Sequence, residues 1–193
     1  MYVFRNMRIV TRMILAFSGI LILAICLTLI STREMSFIEG HLNTINDLNS
    51  VKQRFAINFR GSVHDRAISI RDVVLHSDVA EVEKAVSVIK RREDFYAESA
   101  VRLDEMFKAG SDITSEERLI LQDIKLIETR TLPLIVQIID LRRNGDQFAA
   151  HQILMNDARS LFDEWLIQIN RFIDLQERMD MRDAAWNREN LIY

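Results

Sequence analysis

Apolar positions follow two patterns along this chain. From Met13 to Ile30 they run almost without interruption, and from about residue 36 onward they recur every three or four residues between charged ones. An unbroken run of about 20 residues forms a helix long enough for the ~30 Å hydrocarbon layer of a bilayer, whereas spacing by three and four forms helices with one apolar face. The first helix is expected to continue from the run to about residue 75, because it meets no proline and only the single glycines Gly40 and Gly61. His76-Ser77-Asp78 breaks it, and Asp78 or Ser77 can cap a second helix over about 79–108. Gly110 and the polar residues to Ser115 form the next break, with Thr114 and Glu117 spaced as a capping box for a third helix over about 115–143. Asn144-Gly145-Asp146 makes the last turn before a fourth helix over about 147–190.

Each later helix carries one stripe. The second presents Val82, Val86, Ile89, Glu93, Tyr96, Ala100, Leu103 and Phe107; the third Ile120, Ile124, Ile127, Thr131, Leu134 and Ile138; the fourth Met155, Ala158, Phe162, Trp165, Ile169, Phe172 and Ile173. Long helices joined by short loops must be antiparallel neighbours. The expected fold is therefore all-α: an up-down-up-down antiparallel four-helix bundle over residues 32–190, continuing from an N-terminal transmembrane helix at 13–31.

Charge orients the anchor. Arg5, Arg8 and Arg12 precede the run and no acidic residue does, which keeps residues 1–12 cytoplasmic and puts the bundle outside the membrane. The run exceeds the apolar core of a cleaved signal peptide, and its exit, Leu29-Ile30-Ser31-Thr32-Arg33-Glu34, lacks a small-residue cleavage pattern. Bulky Ile25 before Cys26 argues against lipid attachment at that cysteine. Trp186 and Tyr193 suit a membrane interface, and 191–193 read as the start of a second transmembrane helix. With only 5 glycines and 1 proline in 193 residues, few turns can be built, in keeping with long helices. Three basic residues and none of the 28 acidic ones precede Ser31, so the bundle is net acidic and nucleic acid is an unsuitable partner. The one cysteine lies within the run, so packing rather than disulfides must hold the bundle.

Arg66 projects into the first helix's apolar face, formed by Phe55, Phe59, Val63, Ile70 and Val73. A guanidinium is costly in a core unless it is paired. It either binds a ligand carboxylate through two hydrogen bonds, or forms an internal salt bridge with Glu93 or snorkels out between helices. Counting back from the distal ends of the parallel first and third helices brings Pro133 to the level of Arg66, with Thr129, Arg130 and Thr131 beside it. Proline frees the carbonyl of Thr129, so this level is a candidate anion pocket that Tyr96 can join. Glu116-Glu117 and Asp163-Glu164 read as solvated. No histidine pair at ligand spacing, HExxH, EF-hand or phosphate-binding loop occurs, so no metal, no cofactor and no enzymatic activity are expected.

The basic flank, single anchor, long bundle and the stretch Arg54-Phe-Ala-Ile-Asn-Phe-Arg-Gly-Ser-Val-His-Asp-Arg-Ala-Ile-Ser-Ile-Arg-Asp72 resemble the sensory domains of bacterial methyl-accepting chemotaxis receptors. That resemblance implies a periplasmic domain of an inner-membrane receptor that binds small molecules and forms a homodimer through its first helices. It also implies a displacement of the fourth helix that controls a cytoplasmic kinase complex through a C-terminal region beyond this chain. Arg60, His64, Ile57, Ile68, Arg71 and Leu75 form a second face of the first helix. In the resembled receptors ligands can bind at the dimer interface through first-helix arginines, which makes Arg60 and Arg71 candidate contacts; a solvated face is the plainer alternative. Small anions such as organic acids or amino acids are the ligand class expected. The other readings are the sensory bundle of a histidine kinase or nucleotide cyclase, and an anchored structural bundle that binds another protein.

Overall fold

The computed structural model describes the backbone of residues 9–110 and 113–190, with side chains described at Met13, at 17–28 and over most of 48–186. The regular structure of these residues is helical: α1 (Ile9–Leu75), α2 (Val79–Ala109), α3 (Ser115–Arg143), α4 (Gln147–Ile153), a π-helical turn (Leu154–Ala158) and α5 (Arg159–Asn190). The chain divides into two compact units, Met1–Asp47 and Leu48–Tyr193, and α1 contributes to both.

In the first unit the described large apolar side chains, from Met13 and Phe17 to Ile25 and Leu27, are all more than half exposed. Among the described residues no helix is long and apolar enough to cross a membrane. The side chains of Arg5, Arg8 and Arg12, and the second span proposed to begin at 191–193, lie outside the described residues.

The second unit is the bundle. Asp78 caps α2 by accepting from the Ala80 N–H at 3.1 Å, and Thr114 with Glu117 closes the capping box that starts α3. Gly145 takes φ 83°, the left-handed conformation that turns the chain tightly between α3 and α4. Side-chain bonds between helices fix the topology. Near one end Lys52 of α1 meets Glu117 of α3 and Gln53 meets Glu177 of α5; near the other Arg142 of α3 donates to the Val73 carbonyl and Gln147 of α4 to that of Val74. Residue numbers in α1 and α3 rise together while those in α5 fall, so α1 and α3 are parallel and α5 runs against both. Asn58 to Ser99 and Lys125 to Asp104 place α2 antiparallel to α1 and α3. The arrangement is up-down-up-down.

Several stripe positions differ from expectation, among them Val86 and Ala100, which are half-buried beside buried Ala85 and Ser99. Glu93 is exposed, and Ser99 takes a core place beside Tyr96 and Leu103. Ile135 is buried where Leu134 was expected, with Leu134 half-buried. Met155 is 44% exposed and Leu154 is buried instead, because the π turn spreads its residues over a wider loop. In an α-helix the positions three and four before Ala158, Met155 and Leu154, both share its face; the wider turn rotates Met155 off that face and leaves Leu154 on it. Backbone dihedrals stay in the right-handed helical region at Ile153, Leu154 and Arg159, so α4 and α5 act as one fourth helix with a widened turn.

Candidate functional site

Midway along the bundle, the apolar spacing of α1 carries Arg66 into the core between Val63 and Ile70, where it is 1% exposed. Its guanidinium carbon lies 5.1 Å from the ring centre of Tyr96 on α2 and 4.8 Å from that of Trp165 on α5. Phe59 stacks on Tyr96 at 4.3 Å, and Tyr96 meets Trp165 edge-on at 5.5 Å, so the cation sits in an aromatic box. Cation–π attraction contributes up to about 2 kcal/mol when desolvated, less than the several kcal/mol it costs to bury an unpaired charge. Nε and Nη2 of Arg66 have no hydrogen-bond partner, and neither has Nε1 of Trp165. The salt bridge to Glu93 does not form, since Glu93 faces solvent. Burial lowers the pKa of Arg66, an effect opposed by Tyr96, Glu128 and Glu93. Burial likewise raises Glu128 above the ordinary carboxylate range, with Arg66 pulling it back, and raises the Tyr96 phenol strongly.

The α3 residues expected around Arg66 do not converge on it. Thr131 is buried, but its hydroxyl donates to the Ile127 carbonyl at 2.7 Å. Thr129 is exposed and donates to the Lys125 carbonyl, and Arg130 is exposed and stands 3.9 Å from Glu164. With Thr131 on the core face, the two preceding positions are rotated ~100° and ~200° away from it, toward solvent. Glu128 is the α3 side chain whose charge reaches Arg66. The signal for Trp165 in the sequence was its place on the fourth-helix stripe; its level beside Thr131 emerges only in the structure, through the Arg130–Glu164 pairing.

Arg60 and Arg71 lie on the outer side of α1, both exposed. Arg60 and His64, a turn apart, line a cavity of about 350 Å³ with Gly61, Leu166 and Asn170; Arg71 lines a second one of about 310 Å³ nearer the α1–α2 turn.

Toward the opposite end, Glu117 was expected to be solvated and is instead fully buried. It accepts from Lys52 at 2.6 Å and Gln176 at 2.9 Å through Oε1, and from the Thr114 N–H and hydroxyl at 2.7 and 2.9 Å through Oε2. Burial raises its carboxyl, but the bonds from Lys52, Gln176 and Thr114 prevail and hold it below the ordinary range. This second buried charge is satisfied by three elements at once.

Residues 6–179 match the sequence profile of a family described as a four-helix-bundle sensory module for signal transduction. No curated protein matches the chain.

Proposed function

The chain belongs to the family of four-helix-bundle sensory modules for signal transduction, the module of methyl-accepting chemotaxis receptors, and from that premise we propose that it senses a small carboxylate through Arg66. One observation supports the ligand most directly. A fully buried guanidinium keeps two nitrogens without hydrogen-bond partners inside an aromatic box, with Glu128 acting on it through charge alone. Buried polar groups are otherwise nearly always paired, and a bidentate carboxylate is the complement of a guanidinium edge. A di- or tricarboxylate such as malate, succinate or citrate would enter between the helices at the level of Tyr96 and Trp165. Binding there would change the packing of α1 against α5 and so shift one helix relative to the other.

In this reading the run at 13–31 spans the bacterial inner membrane and the bundle stands in the periplasm. Support comes from the exposed apolar side chains at Met13 and over 17–28 and from the arginines before them. Two chains would pair through the α1 face that carries Ile57 and Ile68, each more than 40% exposed, and the output would reach a kinase complex in the cytoplasm. Thermal-shift measurement on the full chain in lipid nanodiscs tests the ligand. The midpoint is expected to rise with a di- or tricarboxylate and to stay fixed in Arg66→Met; a rise that survives the substitution contradicts sensing through this residue.

A further inference from the structure

Arg66 has an acidic neighbour to which it forms no hydrogen bond. The ion pair between Lys52 and Glu117 sets the register of the parallel helices α1 and α3 at 65 residues, and the same step from Arg66 reaches Thr131. A helical side chain leans back toward the N-terminus of its helix, so the guanidinium reaches toward the turn of α3 that holds Glu128. That turn faces inward: Ile124 and Thr131, a turn before and a turn after Glu128, are 1% and 0% exposed, and Glu128 itself is half-buried. Its carboxylate acts on Arg66 as a charge, while Nε and Nη2 of Arg66 keep no hydrogen-bond partner. The cation therefore has a countercharge and still has an open edge.

Every helix around Glu128 bears on its proton. Burial holds the carboxyl above the ordinary range, against the pull of Arg66 on α1, Tyr96 on α2 and Lys125 on α3 itself; Asp104 of α2 pushes the same way as burial, and Lys125 holds Asp104 in an ion pair. From α5 the uncharged Trp165 stands over Arg66, and the exposed Glu164 is turned to Arg130. Of the groups that favour the ionised form, Arg66 acts most strongly.

A carboxylate ligand on the open edge of Arg66 changes both sides of that balance. It engages the cation that keeps the proton off Glu128, and it brings a second negative charge into the same water-poor space. Two carboxylates that share one cation cannot both stay ionised without a large cost, and the proton goes to the one that burial already disfavours. We propose that Glu128 couples ligand binding at Arg66 to proton uptake, so that one carboxylate and one proton enter the bundle together. The proton comes from water or buffer and rests on a Glu128 oxygen, where the new hydroxyl can donate to the ligand. This inference rests on Arg66 being the carboxylate site and adds the condition under which that site fills. By linkage, ligand is held most tightly on the acidic side of the window above 4.5 and is released as pH rises through it.

Calorimetric titration of the full chain in zwitterionic nanodiscs with malate, succinate and citrate, each in two buffers of different ionisation enthalpy, counts the protons taken up. The wild-type chain is expected to take up as much as one proton for each ligand bound, beyond what the ligand itself exchanges, which Glu128→Gln measures. Its affinity should fall by up to about tenfold for each pH unit through the window above 4.5, and Glu128→Gln should bind without that part of the slope. Circular dichroism checks the fold, and Glu128→Met, uncharged and of similar length, replaces Glu128→Gln if the latter loses its helical spectrum. Binding with no proton uptake attributable to Glu128, or a pH slope that survives its substitution, would overturn the coupling and leave the carboxylate site standing. Loss of binding in a folded Glu128→Gln or Glu128→Met would make Glu128 a contact needed in its charged form and overturn the coupling as well. If none of the three acids binds the wild-type chain, site and coupling fall together.

Discussion

Lys52 and Arg66 are cations on the same helix, both buried, and the bundle treats them in opposite ways. Lys52 meets Glu117, whose four hydrogen bonds come from α1, α5 and the residue that caps α3. Arg66 has aromatic faces and two idle nitrogens. The same interior therefore contains one network closed around its charges, in which Gln176 Oε1 has no partner, and an open one. A closed network fixes how α1, α3 and α5 sit at one end, whereas an open one retains the capacity to take an anion. The pair differs in satisfaction rather than in burial, and the proposed carboxylate site rests on that difference.

Removing half of the closed network should have the largest effect. Glu117→Ala strands Lys52 and breaks the α3 capping box, and is expected to cost about 3–5 kcal/mol in denaturant unfolding of the full chain. Replacing both partners, Lys52→Met with Glu117→Leu, should recover most of that loss, because no charge is then left unpaired. Arg66→Met should behave in the reverse sense. Without ligand it is expected to leave stability unchanged or to raise it by up to about 4 kcal/mol, since it replaces an unsatisfied buried charge with an apolar chain. A large loss in Arg66→Met would make the two sites alike and break the comparison.

pH sharpens it further. Glu117 is held below its ordinary value of 4.5, so its contribution is present above pH 4.5 and is lost as pH falls through the lowered value. Glu128 is held above 4.5, so its protonated form favours the fold at low pH, and that contribution is lost as pH rises through the window above 4.5. Urea midpoints measured across this range should lose their acid decline in Glu117→Gln and their decline above 4.5 in Glu128→Gln. Equal pH curves for the two variants would mean that the carboxylates share one environment. The smallest effect is expected at the exposed pair Arg130–Glu164, 3.9 Å apart. Arg130→Ala should alter stability by no more than about 0.5 kcal/mol and leave carboxylate binding intact.

The bundle was legible because its signals are local. Asp78, the Thr114–Glu117 box and Gly145 act within a few residues, and three-and-four spacing survives in every helix. Arg66 was legible for the same reason, as a charge on an apolar stripe. Burial of Glu117 was not, because its partners Lys52 and Gln176 are distant in sequence and its neighbour Glu116 is exposed. Nor was the π turn: composition carries no mark of one widened turn, yet it exchanges Met155 for Leu154 in the core and brings Arg159 to the cavity that Arg71 lines. The Arg130 and Thr129 positions were drawn toward Arg66 by matching levels along parallel helices, which fixes height but not direction around the axis.

The most direct measurement is calorimetric titration of the full chain and of Arg66→Met, in nanodiscs, with malate, succinate and citrate. Saturable binding of at least one of these by the wild-type chain, abolished in a folded Arg66→Met, is the result expected of an open guanidinium that awaits a carboxylate. Binding of equal affinity in both proteins, or by neither, would contradict it and leave Arg66 as a buried charge without a ligand.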